Sequence, residues 1–85
     1  MKRPVKVSIR YCLECGYQPP AFALAQSLLD EFQLMLSGVE LVPWTNGSFD
    51  VTVNGELVHS MYRDGGIPSH EAIAAAVRDR LEQDD

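Results

Sequence analysis

Positive charge is scarce in this sequence. Lysine and arginine number 7 against 12 aspartates and glutamates, and the net charge is −5. Nucleic acid as the main partner calls for a basic patch facing its phosphates, so that class is set aside. Lys2, Arg3, Lys6 and Arg10 do gather near the N-terminus; they read as the solvated face of a strand. Long hydrophobic runs are also absent: no stretch approaches the roughly 18 apolar residues of a membrane span. Met1-Lys2-Arg3-Pro4 carries basic residues, but Lys6, Ser8 and Arg10 interrupt the apolar residues after it, so no signal segment is read there. No membrane partner is expected, and the expected location is cytoplasmic.

Cysteine and histidine are limited to two residues each. The disulfide framework that staples small secreted domains is therefore excluded. Zinc sites usually take four ligands, and His59 and His70 follow no zinc spacing. Neither a metal nor another cofactor is expected. The chain has 85 residues, 46% hydrophobic and 22% charged, which fits a single globular domain over residues 1–85. So short a chain buries only about 60–65% of its unfolded surface, and modest stability is expected.

What the sequence does have is Arg10-Tyr11-Cys12-Leu13-Glu14-Cys15-Gly16-Tyr17. Both cysteines stand here, where a strand pattern ends and before a helical pattern begins. C-x-x-C at such an edge reads as a thiol-disulfide redox motif. If the loop bends like a helical turn, residues three apart have Cα atoms about 5 Å apart, within the range a disulfide tolerates. One thiolate then attacks a partner's sulfur and the second closes on the first. Zinc binding and inertness are the other readings of such a pair; placement beside a strand-helix pattern favours the redox one. Two cysteines in a reducing compartment point the same way.

The rest of the chain supplies a scaffold. Val5, Val7 and Ile9 alternate with Lys6, Ser8 and Arg10, as in a strand with one buried face. Pro19-Pro20 suit a helix's first turn, and Phe22, Ala25, Leu28, Leu29, Phe32 and Leu36 recur at helical steps. The spacing predicts a helix over 19–35, stopped by Ser37-Gly38. A second strand is predicted over 39–42, ended by Pro43, then a polar link over 44–48 and a third strand over 49–53. Asn54-Gly55 is a two-residue hairpin signal leading into a fourth strand over 56–62. Its regular register sets Val51 opposite Val58 and Asp50 opposite His59, which makes His59 half of an exposed ion pair. Ser69 is a plausible N-cap for a last helix over 69–83, with Ile73, Ala76, Val77 and Leu81 on its apolar face and His70 solvated at its start.

The predicted fold class is α/β, in the order βαβββα. Strands 1 and 2 are parallel by the crossover rule. The four-stranded mixed sheet has order 2-1-3-4, with both helices on one face. The polar alternation in strand 1 requires an uncovered second face. Val42, Leu57 and Met61 would lie on it, with Trp44 nearby. Grouped, they would mark a partner surface or a homodimer interface.

These residues resemble the selenoprotein W-like, or Rdx, family, which is grouped with selenoproteins T and H. The likeness rests on Val7 to Tyr17, on Leu28-Leu29-Asp30-Glu31-Phe32 and on the run from Gly47 to Ser60. It implies a thioredoxin-like fold, redox activity and glutathione or protein disulfides as partners. It also implies a cysteine-containing member, since selenocysteine stands elsewhere in the family at the position of Cys15. No proline lies between Pro43 and strand 3, so the cis-proline that faces the dithiol in thioredoxins has no match here, nor has their helix on the second face.

Which cysteine attacks is read two ways. Thioredoxin-type logic points to Cys12, and the family resemblance points to Cys15. Arg10 would favour a nearby thiolate and Glu14 would oppose it, each by about 1 kcal/mol when exposed. The choice leans to Cys12. The link with Asn46-Gly47-Ser48 is expected to approach the dithiol, giving a shallow substrate groove of Tyr11, Cys12, Cys15, Gly47 and Phe49, with Tyr17 at its edge. Two classes of function fit: a thiol-disulfide oxidoreductase, or a binding module switched by its dithiol without turnover.

Overall fold

The computed structural model describes residues 4–83, so Lys2 and Arg3 of the expected basic face lie outside the described residues. Strand β1 (Val5–Cys12) leads through a turn to helix α1 (Gln18–Phe32). Strand β2 (Leu36–Trp44) follows, then β3 (Phe49–Val53) and β4 (Glu56–Ser60). A one-turn helix, α2 (Met61–Asp64), precedes α3 (His70–Gln83). The sheet order is β2-β1-β3-β4, with β1 parallel to β2 and antiparallel to β3, as the periodicities predict.

The core lies between one sheet face and the two long helices. Val5, Val7, Ile9 and Tyr11 of β1 meet Phe49, Val51 and Val53 of β3 under Leu24, Leu28 and Phe32 of α1 and Ile73, Val77 and Leu81 of α3. The alternation in β1 and β3 creates this face, since period-2 side chains can fill only one side. The apolar stripe of α1 is centred on Ala21, Leu24, Ala25, Leu28 and Phe32. Two alanines let the helix approach the sheet, while Phe22 and Leu29, expected in the stripe, flank it at 47% and 45% exposure.

Three boundaries differ from the sequence expectation. Helix α1 ends at Phe32 because Gln33 takes a left-handed φ of 49°, and a 3-10 turn joins it to β2. Ser37-Gly38 lie inside β2 at a register shift opposite Val5/Lys6 and do not stop the helix. Pro43 does not end β2, which continues to Trp44; an edge strand tolerates proline because its outward side needs no N–H.

The β3–β4 hairpin starts in the expected register, Val53 opposite Glu56 and Thr52 opposite Leu57. It then shifts between Val51 and Thr52, so that Val51 faces His59 and Asp50 faces Ser60. A bulge of this kind places one extra residue, here Val58, on one strand and moves those beyond it to the other face. The expected Asp50–His59 ion pair is therefore absent. His59 is buried, its Nε2 lies 2.8 Å from the carbonyl oxygen of Gly66, and its ring meets Phe49 edge to face. Strand β4 stops at Ser60, whose hydroxyl accepts from the Arg63 amide at 3.5 Å and caps α2. Met61 consequently packs against the core instead of the open face.

That open face is mixed. Along one row Val42, Arg10, Asp50 and Ser60 are neighbours, and along the next Glu40, Ser8, Thr52 and Leu57. Val42 and Leu57 are thus separated by polar side chains and do not join into one apolar patch. At the far end of the core, His70 is not free in solvent: its Nε2 meets Glu31 Oε1 at 2.9 Å, and Arg78 Nη1 donates to Glu31 Oε2 at 2.7 Å. These contacts fasten α3 to α1. The Ser69 cap is present, its Oγ accepting from the Ala72 amide at 3.1 Å.

Candidate functional site

Cys12 is the last residue of β1, two residues further into the strand than the alternation predicts. Its amide donates to the Ser48 carbonyl at 2.8 Å, and the Leu13 amide donates to the Trp44 carbonyl at 3.0 Å. The strands on both sides of β1 thus grip the start of the dithiol loop. The chain then turns: the Gly16 amide donates to Leu13 O at 3.1 Å and the Tyr17 amide to Cys12 O at 3.3 Å. Gly16 has φ +79°, a conformation open to glycine at no steric cost. The turn brings the Cα atoms of Cys12 and Cys15 to 5.4 Å, and the two sulfurs are joined as a disulfide.

The two bonded cysteines differ in access. Cys12 is 1% exposed, whereas Cys15 is an exposed residue at the turn. Solvent therefore reaches the Cys15 end of the disulfide far more than the Cys12 end. Helix α1 begins three residues beyond Cys15. Pro19 and Pro20 in its first turn carry no N–H, so it presents few amide donors to a thiolate.

Thr45-Asn46-Gly47-Ser48 crosses the end of β1. Asn46 and Gly47 have φ of 63° and 70°, and the Ser48 amide and hydroxyl both donate to Thr45 O, at 3.4 and 3.0 Å. Two successive positive φ values mark a type I′ turn. Asn46-Gly47 is the same dipeptide that signals the β3–β4 hairpin, yet it reads as a polar link because β2 and β3 are not paired neighbours. The Tyr62 hydroxyl bonds the Asn46 carbonyl and ties α2 to this turn.

The residues expected to line a groove occupy two levels. Gly47 is half-buried in the turn beside the loop. Phe49 is fully buried, Tyr11 is buried with its ring edge on Phe22, and Tyr17 is half-buried with its ring 6.3 Å from that of Phe49. Tyr11 and Phe49 belong to the buried core and Tyr17 packs against it. Beside the loop lies a hollow that sequence reasoning missed, lined by Leu13, Glu14, Pro43, Trp44 and Thr45. Its signal was present in the exposed Leu13 and Trp44, but their meeting depends on β2 running on through Pro43. The Arg10 guanidinium stands 4.7 Å from the Trp44 ring centroid, a cation–π contact that directs its charge to the indole. Among the described residues, no three His, Cys, Asp or Glu side chains are grouped so as to hold a metal ion. Nor is any helix there long and apolar enough to cross a membrane.

The chain is similar to known proteins in sequence and in fold. Selenoprotein W of Danio rerio is 37% identical over 81 residues, covering 93% of each chain. A crystal structure from Bordetella parapertussis superposes with a TM-score of 0.89 at 37% identity, covering 93% of this chain and all of that one. A selenoprotein W-related protein from Vibrio cholerae gives a TM-score of 0.90 at 29% identity, covering 93% of this chain and 99% of the other. The family model for the Rdx family matches residues 6–79, which take in the dithiol loop and all of the four strands but Val5, and the chain belongs to that family.

Proposed function

We propose that this protein exchanges thiols and disulfides through Cys12 and Cys15, and that Cys15 is the sulfur that meets the substrate. The contrast between a buried Cys12 and an exposed Cys15 carries this reading. It reverses the lean toward Cys12 drawn from thioredoxin-type logic. In the reduced protein the Cys15 thiolate attacks one sulfur of a substrate disulfide R–S–S–R′, forming a Cys15–S–S–R bond and releasing R′S⁻. Cys12 then loses its proton, its thiolate attacks Cys15 Sγ, and RS⁻ leaves. Two electrons pass to the substrate and the Cys12–Cys15 disulfide remains. A second thiol pair must reduce it before another cycle, which suits a reducing compartment such as the cytoplasm. Protein disulfides and glutathione disulfide are the substrate classes.

The test uses single variants with a chromogenic aryl disulfide. Cys12→Ser should hold a stable mixed disulfide at Cys15, visible as a mass adduct. Cys15→Ser should form none at a comparable rate. Adducts on Cys12 in the second variant, and none in the first, would reverse the assignment. A protein that oxidises once per chain and does not turn over with added reductant would be a redox-switched binding module.

A further inference from the structure

The hollow lined by Leu13, Glu14, Pro43, Trp44 and Thr45 takes one wall from the dithiol turn, between Cys12 and the exposed residue Cys15. Leu13 and Glu14 belong to the dithiol turn itself, and Glu14 is the residue next to Cys15. Opposite them stand Pro43 and Trp44 at the end of edge strand β2. Leu13 and Trp44 are each 50% exposed, although both have backbones fixed by the Leu13 N–H···O=C Trp44 bond. Exposed large apolar groups held rigidly beside a reactive bond resemble the anchor positions of recognition sites. The hollow is an open surface depression of about 390 Å³, at the small end of ligand pockets, so it suits one or two side chains and no large cofactor.

Charge defines the occupant further. Glu14 places a carboxylate on the rim and the chain carries −5, while the Arg10 guanidinium keeps its positive charge over the Trp44 ring, so the acidic side of the hollow is the Glu14 side. A tripeptide thiol such as glutathione has two carboxylates and no large apolar side chain, so it complements neither the walls nor the rim. A polypeptide with an aliphatic or aromatic residue beside its cysteine, and a basic residue near that, complements both.

Building on the exchange at Cys15, we infer that the hollow is a substrate subsite: it selects protein segments that carry a large apolar residue next to the reacting cysteine, with basic neighbours. Bond making and breaking are those of the exchange at Cys15; the subsite only holds R while its sulfur meets Cys15.

The experiment compares disulfides of one chromogenic thiol with three partners: a peptide containing Leu-Cys-Lys, the same peptide with Ser-Cys-Lys, and glutathione. Reduced protein should react about tenfold faster with the leucine peptide than with the serine peptide, the scale of one apolar side chain in a pocket. In Trp44→Ala and in Leu13→Ser that ratio should fall toward one. The control Leu34→Ser, at a residue exposed far outside the hollow, should keep it. Glu14→Lys should favour a Leu-Cys-Glu peptide over Leu-Cys-Lys, and added salt should narrow the difference. A wild-type ratio near one, with all three disulfides reacting, overturns the subsite and leaves the exchange chemistry standing. A ratio unchanged by Trp44→Ala and Leu13→Ser also overturns the subsite. No reaction with any disulfide overturns the exchange reading, and this inference with it.

Discussion

The Cys12 amide bonds the Ser48 carbonyl at 2.8 Å, so the turn between β2 and β3 is coupled directly to the dithiol. Ser48 is itself 2% exposed, and its amide and hydroxyl both return to Thr45. What holds this turn in place therefore also holds Cys12 under cover.

Gly47 is where that coupling can be disturbed without touching sulfur. It has φ +70°, and nothing lies within 4 Å of an added Cβ. A substitution there meets backbone strain and no clash. Gly47→Val should lower stability by roughly 1–2 kcal/mol, about 4–16 °C in a domain of this size. It should also loosen the turn, so that in reduced protein Cys12 alkylates faster relative to Cys15. A melting temperature and alkylation ratio equal to wild type would show that the turn does not govern Cys12.

The difference in access makes a prediction for the unmodified chain. Reduced protein treated briefly with iodoacetamide should carry the label on Cys15 first, because Cys12 is 1% exposed in the folded state. Peptide mass spectrometry of early time points reads this directly. Denaturing the protein before labelling should erase the preference. Equal labelling in the native state would contradict the burial of Cys12.

The core face of β3 and the α1 stripe can be tested by truncation. Phe49, fully buried, and Phe32, at 4% exposure, should each cost about 3–5 kcal/mol when cut to alanine. Phe22→Ala and Leu29→Ala, on half-exposed flanks, should cost much less, of the order of 1 kcal/mol. Chemical denaturation of the four variants separates the groups. A Leu29→Ala cost as large as that of Phe32→Ala would return Leu29 to the centre of the stripe.

Element order, sheet order and the dithiol were legible because each rests on local signals: the alternation of Val5, Val7 and Ile9, the helical spacing through Phe32, Asn54-Gly55 and Cys12-x-x-Cys15. The features missed depend on contacts between distant segments. Gln33 takes its left-handed conformation so that Leu36 can enter the sheet. Pro43 stays in β2 because only its inner side is paired. Val58 bulges, and His59 is thereby carried over to Phe49 and Gly66. Hairpin register extrapolated from the turn cannot register an inserted residue, since a shift of one reverses every later side chain. The hollow at the dithiol turn was hidden for the same reason, as it needs Leu13 after β1 to meet Trp44 at the end of a β2 that runs on through Pro43.

The bulge itself has a thermodynamic signature. In the regular register Asp50 and His59 would be cross-strand partners, worth roughly 0.2–1 kcal/mol. With Asp50 opposite Ser60 and His59 opposite Val51 and bonded to Gly66, they are not cross-strand partners. A double-mutant cycle with Asp50→Asn and His59→Gln should therefore give a coupling within about 0.3–0.5 kcal/mol of zero. A clear favourable coupling that disappears at high salt would restore the regular hairpin.

Acid should weaken the fold in two places. Arg63 and the Ser60 amide hold the Asp64 carboxyl at about 2, below its ordinary 3.8. Arg78, and then His70, hold that of Glu31 below its ordinary 4.5. A carboxylate with a lowered folded-state pKa binds its proton more readily when unfolded, so stability falls as pH falls. For Asp64 the contribution is complete above about pH 4 and lost on the way down to about 2. For Glu31 the loss begins below about 4.5. Both groups lie at the surface, so the effects should be small and should shrink in salt. Melting temperatures measured from pH 6 to pH 2 should decline in wild type. Glu31→Gln should start lower near neutral pH and decline less, because the α1–α3 tie to Arg78 and His70 is already lost. Asp64→Asn should remove only the part of the slope below about pH 4. Slopes identical to wild type in both variants would place the acid sensitivity of the fold elsewhere than in these two ion pairs.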